Sequence, residues 1–179
     1  MSALISTLVL GGARSGKSVF GERLVSGSGL ARIYLATATA SDEEMSDRIA
    51  HHRARRGDGW TTIEEPLGLV DALTQHAGRG RAVLVDCLTL WLFNLMEAGR
   101  DPEVEAKRLA RYLGVAAGPI VLVSNEVGLG LVPETPLGRA FRDAQGRLNQ
   151  TIAAAVPDVA FIAAGLPLWL KRATRATGE

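Results

Sequence analysis

Short apolar runs alternate along the chain with longer stretches in which apolar residues recur at helical spacing. Each run is bounded by glycine, proline or polar turn residues, which is typical of buried strands in a mostly parallel sheet. The pattern predicts strands over residues 5–10, 32–36, 82–85, 120–124 and 159–163, with a weaker candidate over 60–64. Because helical stretches separate these runs, we predict an α/β fold with helices on both faces of the sheet.

Capping residues mark where two of the helices begin. Ser41 and Glu44 form a capping box, which predicts a helix that runs through Arg56. Asp101 precedes a proline and a glutamate, so it is the expected N-cap of another helix. A further helix is predicted over residues 137–155. No linker or internal repeat divides these elements, so we expect one domain over residues 1–179.

Length, composition and charge exclude several classes of protein. The chain has 179 residues, of which 47% are hydrophobic and 22% charged, and this composition is that of a folded domain. The net charge of +1 does not imply a nucleic-acid partner. No apolar stretch reaches the roughly 18 uninterrupted residues of a membrane span, and no basic leader precedes the first strand. With the single cysteine, Cys87, these features predict a cytoplasmic protein.

A glycine-rich motif follows the first predicted strand and opens a helix. It matches the phosphate-binding pattern G-x-x-x-x-G-K-[ST], in which glycines allow the backbone N–H groups to point at phosphate oxygens. The lysine adds a positive charge beside the outer phosphates. We therefore predict a nucleoside-triphosphate site in a P-loop NTPase fold of the RecA-like type. The predicted phosphate-binding residues are Gly11, Gly12, Ala13, Arg14, Ser15, Gly16, Lys17 and Ser18.

Two oxygen-bearing side chains are candidate ligands for Mg²⁺. Ser18 ends the glycine-rich motif, and Asp86 follows the apolar run at residues 82–85. A hydroxyl at the start of the helix and a carboxylate at the end of a nearby strand are the pair that P-loop enzymes use to hold the metal. The spacing thus predicts a Walker A and Walker B arrangement.

The predicted helix that follows the second strand concentrates histidines and arginines near its end. His51 and His52 are adjacent, and arginines stand at positions 48, 53, 55 and 56. A neutral imidazole can attack phosphorus, and neighbouring guanidinium groups stabilise charge on phosphoryl oxygens. Exposed histidines on a solvated basic helix explain the same spacing, so the residues alone leave both interpretations open.

Several segments beyond these motifs have two interpretations each. Asn125 and Glu126 follow an apolar strand, so they face the ligand crevice or stabilise the loop. Residues 128–136 are rich in glycine and proline, which suits a segment that covers substrate or one that contacts another subunit. The apolar cluster around Trp91 is typical of a core helix or an oligomer interface.

The chain closely resembles the bifunctional adenosylcobinamide kinase and adenosylcobinamide-phosphate guanylyltransferase family of cobalamin biosynthesis. The resemblance covers nearly the whole chain and rests on several motifs in addition to the glycine-rich one. These are residues 34–38, Glu44-Met45, 48–52, Trp60, 86–91 with Asn94-Leu95, 124–128, Val132-Pro133, 141–143 and 148–150.

The resemblance implies two reactions. The first phosphorylates the aminopropanol hydroxyl of adenosylcobinamide with ATP or GTP, and the second transfers GMP from GTP to that phosphate through a guanylylated histidine. By position in the His-His pair this residue is His51, and Lys17 assists the phosphates. The resemblance also implies Mg²⁺, a homotrimer, and nucleotide contacts from Ala36, Thr37, Ala38, Arg53, Ala54, Arg55, Arg56, Glu64 and Asp86.

The residues by themselves leave two other functions open. A small-molecule kinase would use the basic helix only to clamp phosphates. A nucleotide-dependent regulator would use the loops as a switch that recruits a partner protein. Neither of these alternatives requires a covalent nucleotide adduct.

Overall fold

The computed structural model describes residues 4–38 and 57–174, and within them one seven-stranded sheet forms the centre of the molecule. The strand order is β3-β2-β4-β5-β1-β6-β7, and all neighbours are parallel except β6 and β7. The strands are β1 (Thr7–Gly11), β2 (Ala31–Ala36), β3 (Trp60–Glu64), β4 (Arg81–Asp86), β5 (Ile120–Asn125), β6 (Asp158–Ala163) and β7 (Leu166–Lys171).

All six strands predicted from the apolar runs are present, including the weaker candidate at β3, with ends that differ by at most two residues. The seventh strand, β7, was not predicted. It returns antiparallel to β6 after a two-residue turn and lies at the edge of the sheet. Its leucines are largely exposed, whereas the other strands were recognised by runs of apolar residues that are buried in the sheet.

Five helices pack on the described part of the sheet. They are α1 (Lys17–Ser26), α2 (Leu69–His76), α3 (Leu88–Glu97), α4 (Pro102–Leu113) and α5 (Pro136–Ala155). The Asp101 side chain accepts a hydrogen bond from the Glu103 backbone N–H at 2.8 Å, which confirms it as the N-cap of α4. Helix α5 begins one residue before the predicted start, and α2 was not predicted. The helix expected over residues 41–56 lies outside the described residues.

Two apolar layers cover the two faces of the sheet, because successive side chains of a strand point to opposite sides. One layer joins residues such as Leu122 of β5 to α2, α3, α4 and α5. The other joins Val121 and Val123 of β5 to Val25 of α1. The predicted α/β architecture with helices on both faces is therefore confirmed. In the described residues, no helix is both long and apolar enough to cross a membrane.

Candidate active site

The glycine-rich loop connects the end of β1 to the start of α1, as the motif predicts. A Cβ atom on Gly11 would lie 2.5 Å from the Ile162 carbonyl oxygen, so only glycine fits there. Gly16 has φ +97°, a left-handed conformation that L side chains rarely adopt, and a Cβ atom on it would lie 3.2 Å from the Gly165 Cα. Both glycines are thus required by the shape of the loop.

Two backbone hydrogen bonds hold this loop from outside it. The Gly165 N–H, in the turn between β6 and β7, donates to the Ser15 carbonyl oxygen at 2.8 Å. The Glu126 N–H, just after β5, donates to the Gly11 carbonyl oxygen at 3.0 Å. The loop is therefore fixed on one side by the β6–β7 turn and on the other by the end of β5.

Lys17 lies at the first position of α1 and is buried beneath the loop, with 8% of its surface exposed. Its ammonium group donates to the Gly12 carbonyl oxygen at 2.6 Å. Burial lowers the pKa of Lys17 below its ordinary value, and the nearby Cys87 and Asp86 partly oppose that effect. A cation thus sits inside a loop whose backbone surrounds it.

The loop offers the donors that a phosphate group needs. Helix α1 starts at Lys17, so its first N–H groups have no partner within the helix and attract anions. The Ser15 Oγ is buried and has no hydrogen-bond partner among the described residues. A buried hydroxyl without a partner is costly unless a ligand satisfies it. Ala13 and Arg14 are exposed at the tip of the loop.

Asp86 ends β4, which is separated from β1 only by β5. The Tyr34 hydroxyl donates to the Asp86 Oδ2 at 3.2 Å. Leu84, two residues earlier on the same strand, packs in the α1 layer, so alternation places Asp86 on the α1 face as well. Ser18 is half-buried in the first turn of α1. A carboxylate and a hydroxyl on one face fit Mg²⁺, which prefers few protein oxygens together with phosphates and water.

Cys87 follows Asp86 and is buried. Burial raises the pKa of its thiol to about 11, and the charge of Asp86 adds to the rise. The thiol is therefore protonated near neutral pH, and a protonated thiol is a poor nucleophile.

The carboxyl ends of β2, β3 and β4 lie side by side. Ala36 pairs with Glu64 on one side and with Asp86 on the other, so three residues of the predicted nucleotide site are aligned across the sheet. Glu64 is exposed, whereas Ala36 and Ala38 are half-buried. The predicted residues from these strand ends therefore share one edge of the sheet with the glycine-rich loop.

Thr37 is fully buried, and its hydroxyl is already used within the protein. The Thr37 Oγ1 donates to the Cys87 carbonyl oxygen at 2.7 Å and accepts from the Cys87 N–H at 2.9 Å. The Asn94 amide donates to the Thr37 carbonyl oxygen at 2.8 Å and to the Pro66 carbonyl oxygen at 3.1 Å. Asn94 thus ties together the segments that follow β2 and β3. The sequence pattern assigned no role to this amide, because its partners are distant backbone carbonyls.

Other residues singled out in the sequence have distinct positions. The Glu126 Oε1 accepts from the Gly128 N–H at 2.6 Å, which favours a loop-stabilising role for this side chain. Trp91 is fully buried and donates to the Leu67 carbonyl oxygen at 3.0 Å, so its cluster belongs mainly to the core. Phe93 on the same helix is 49% exposed. The predicted site residues that lie outside the described residues are His51, Arg53, Ala54, Arg55 and Arg56.

A glycine-rich loop between β1 and α1, with an acidic residue ending a strand two places away in a parallel sheet, defines a P-loop nucleotide-binding protein of the RecA-like type. Similar solved structures share this fold. The flagellar accessory protein FlaH from Methanocaldococcus jannaschii matches with a TM-score of 0.55 and 15% identity, over 94% of this chain and 79% of that one. The RadB recombinase matches with a TM-score of 0.52 and 16% identity, over 88% of this chain and 73% of that one.

The chain belongs to the family described as cobinamide kinase / cobinamide phosphate guanyltransferase, whose model matches residues 7–170. It is 52% identical over 166 residues to the bifunctional adenosylcobalamin biosynthesis protein CobP of Pseudomonas aeruginosa, covering 92% of this chain and 96% of the relative. It is 36% identical over 179 residues to the protein CobU of Escherichia coli, covering 92% and 98%. The family resemblance stated from the motifs is confirmed, and the chain is a cobinamide kinase and guanylyltransferase.

Proposed function

We propose that this chain performs two successive transfers on one substrate. It phosphorylates the hydroxyl of adenosylcobinamide with ATP or GTP, and it then transfers GMP from GTP to adenosylcobinamide phosphate, giving adenosylcobinamide-GDP and pyrophosphate. The observation that carries this proposal is the family match over residues 7–170, in a chain whose glycine-rich loop encloses a buried lysine. The corrinoid and the nucleotide are the expected partners, with no nucleic acid.

The first transfer uses the phosphate loop. Backbone N–H groups of residues 11–18 bind the phosphates, and the Lys17 ammonium offsets their charge. Ser18 and Asp86 would hold Mg²⁺, which neutralises charge on the outer phosphate oxygens when it is bound. Further nucleotide contacts are proposed from Ala36 and Ala38, from the Thr37 backbone, from Arg53 to Arg56 and from Glu64.

The second transfer proceeds through His51. Its neutral imidazole nitrogen forms a bond to the α-phosphorus of GTP, and the bond to pyrophosphate breaks. A phosphate oxygen of adenosylcobinamide phosphate then forms a bond to the same phosphorus, which breaks the nitrogen–phosphorus bond and frees the histidine. The raised pKa of Cys87 supports a histidine over the single cysteine as the nucleophile.

The neighbouring histidine provides a matched control for this step. The protein is incubated with GTP labelled at the α-phosphate, in parallel with His51→Ala and His52→Ala. We expect a covalent label, stable in alkali and lost in acid, on the unmodified protein and on His52→Ala, and no label on His51→Ala. Label retained by His51→Ala would place the nucleophile elsewhere. Phosphorylation without any adduct in all three proteins would favour a kinase that only clamps phosphates.

We also propose that the enzyme works as a homotrimer in the cytoplasm. Exposed leucines support subunit contacts: Leu129 and Leu131 after β5 are 82% and 97% exposed, and Leu166 at the start of β7 is 73% exposed. Light scattering gives the mass directly, and three times the mass of one chain is expected. A monomer at all concentrations tested would contradict the trimer and leave the two transfers unaffected.

A further inference from the structure

Buried amides join α5 to the end of β5. Gln145 and Ser124 are fully buried, and Asn149 is 5% exposed. The Ser124 hydroxyl donates to the Asn149 Oδ1 at 2.7 Å, and the Gln145 amide N–H₂ donates to the Ser124 Oγ at 2.9 Å and to the Asn149 Oδ1 at 3.0 Å. The three side chains form a closed set of hydrogen bonds, which we call the amide cluster. It lies in the layer opposite to α1.

Among the described residues, one atom of the amide cluster has no hydrogen-bond partner. The Gln145 Oε1 is buried and accepts no hydrogen bond within the described residues. A buried unpaired acceptor costs about 1–3 kcal/mol relative to a satisfied or apolar group. The two hydrogen bonds that the Gln145 amide donates contribute about as much in the opposite direction, roughly 0.5–1.5 kcal/mol each. Glutamine therefore gives little net stability over an apolar side chain of similar size, and folding stability alone is a weak reason for it at this position.

The amide cluster holds the backbone of Asn125. The Asn149 Nδ2 donates to the Asn125 carbonyl oxygen at 3.0 Å, and the Asn125 N–H donates to the Thr89 Oγ1 at 2.9 Å. Both polar groups of this peptide backbone are therefore held by side chains, one from α5 and one from α3. Such bonds fix where the end of β5 lies.

Asn125 lies beside the phosphate loop. It pairs in register with Gly11, and the next residue donates its N–H to the Gly11 carbonyl oxygen at 3.0 Å. Val121 and Val123 pack in the α1 layer, so alternation along β5 places Asn125 on the α1 face, the same face as Asp86. The position of this strand end therefore affects both the loop that binds phosphates and the crevice between Gly11 and Asp86.

From this arrangement we infer that Gln145 and Asn149 are positioning residues for phosphoryl transfer. They hold the end of β5, including Asn125, against the start of the phosphate loop. Neither residue contacts the substrate, and both act through the backbone of β5. The inference relies on the kinase activity of the family and does not depend on the guanylylated histidine.

Gln145→Met tests the inference with little disturbance of the core. Methionine fills a similar volume, and the bond from Ser124 to Asn149 leaves both side chains with a partner. We expect the kcat of the kinase reaction to fall roughly tenfold while the KM for the triphosphate stays within about twofold. The melting temperature should change little, because removal of the unpaired acceptor offsets the loss of the two hydrogen bonds that the amide donates. Gln150→Met, at an exposed position of the same helix, should change none of the three.

If Gln145 serves only to stabilise the fold, the opposite result is expected. If Gln145→Met lowers the melting temperature and leaves kcat unchanged, the inference is wrong. Gln145→Leu serves as a second variant, and failure of both to fold would also overturn the inference, because the cluster would then be a requirement of folding. Absence of kinase activity in the unmodified protein, by contrast, would count against the proposed function itself.

Discussion

The glycine-rich loop and the β6–β7 hairpin meet in space but differ in what determines their sequences. In the loop, Gly16 has a φ of +97° that L side chains rarely adopt, and Lys17 is buried beneath the backbone, as the proposed phosphate site requires. In the hairpin, Ala164 and Gly165 form a two-residue turn with φ +50° and +79°, and the following leucines are exposed. The hairpin carries no motif of its own, yet it helps to hold the glycine-rich loop in place, because the Gly165 N–H donates to the Ser15 carbonyl oxygen.

Gly16→Val tests the loop itself and should have the greatest consequence. A branched side chain at φ +97° is strained, and its Cβ would press on Gly165 Cα at 3.2 Å. We expect both activities to fall by at least about 100-fold, because the phosphate donors move. Steady-state kinetics measures this loss. Gly29→Val is the control, since Gly29 has φ +72° with open space around it and lies outside the loop. Equal losses in the two variants would show that the effect comes from general strain.

Asp86→Asn probes the proposed metal site at the end of β4. It keeps a side chain that can accept from Tyr34 but removes the negative charge that would attract Mg²⁺. We expect the kinase rate to fall by about 10- to 100-fold, with a higher Mg²⁺ concentration needed for half-maximal rate. Titration of the triphosphate without Mg²⁺ should give an equal or higher affinity, because the carboxylate that repels the phosphates is gone. If the Mg²⁺ dependence of the kinase rate is unaltered, Asp86 does not hold the metal.

Gly165→Ala asks whether the hairpin supports the loop. A Cβ at φ +79° adds strain of about 1–2 kcal/mol without a steric contact, which lowers the melting temperature by a few degrees. Gly29→Ala, at φ +72° and equally open, should cost the same stability. Only Gly165→Ala is expected to weaken triphosphate binding, by about threefold to tenfold, because a turn that relaxes the strain at φ +79° moves the N–H that donates to Ser15. Equal triphosphate affinities in the two variants would show that the hairpin does not affect binding at the loop.

Leu168→Ser examines the exposed side of the hairpin. Leu168 is 62% exposed, so the free energy of unfolding of a single chain should change by less than about 0.5 kcal/mol. If β7 contributes to a homotrimer, the mass measured by light scattering falls toward that of one chain. A large loss of stability with an unchanged mass would show that this leucine is needed within the chain.

The sequence predicted those parts of the fold in which burial or ligand chemistry restricts the residues. The strands around Leu122 and Leu84 are apolar because helices cover both faces, and the glycine-rich loop follows a fixed spacing. Asp101 was recognised as an N-cap because capping needs only local sequence.

What the sequence did not predict depends on contacts between distant segments. Strand β7 is exposed and contains Pro167. Helix α2 has only eight residues, which is too short for its apolar positions 69, 70, 72 and 73 to establish a helical period. The bonds of Asn94 to Thr37, and of Asn149 to Asn125, connect residues that lie 57 and 24 positions apart. No local spacing indicates such pairs, so their roles emerge only from the structure.

The most direct test of the proposed function follows one corrinoid substrate through both transfers. Purified protein is incubated with adenosylcobinamide, Mg²⁺ and either ATP alone, GTP alone or both, and the products are identified by mass. We predict adenosylcobinamide phosphate first and adenosylcobinamide-GDP afterwards, with the second product forming only when GTP is present. Phosphorylated corrinoid that never gains GMP in the presence of GTP, or no corrinoid product with either nucleotide, would contradict the account.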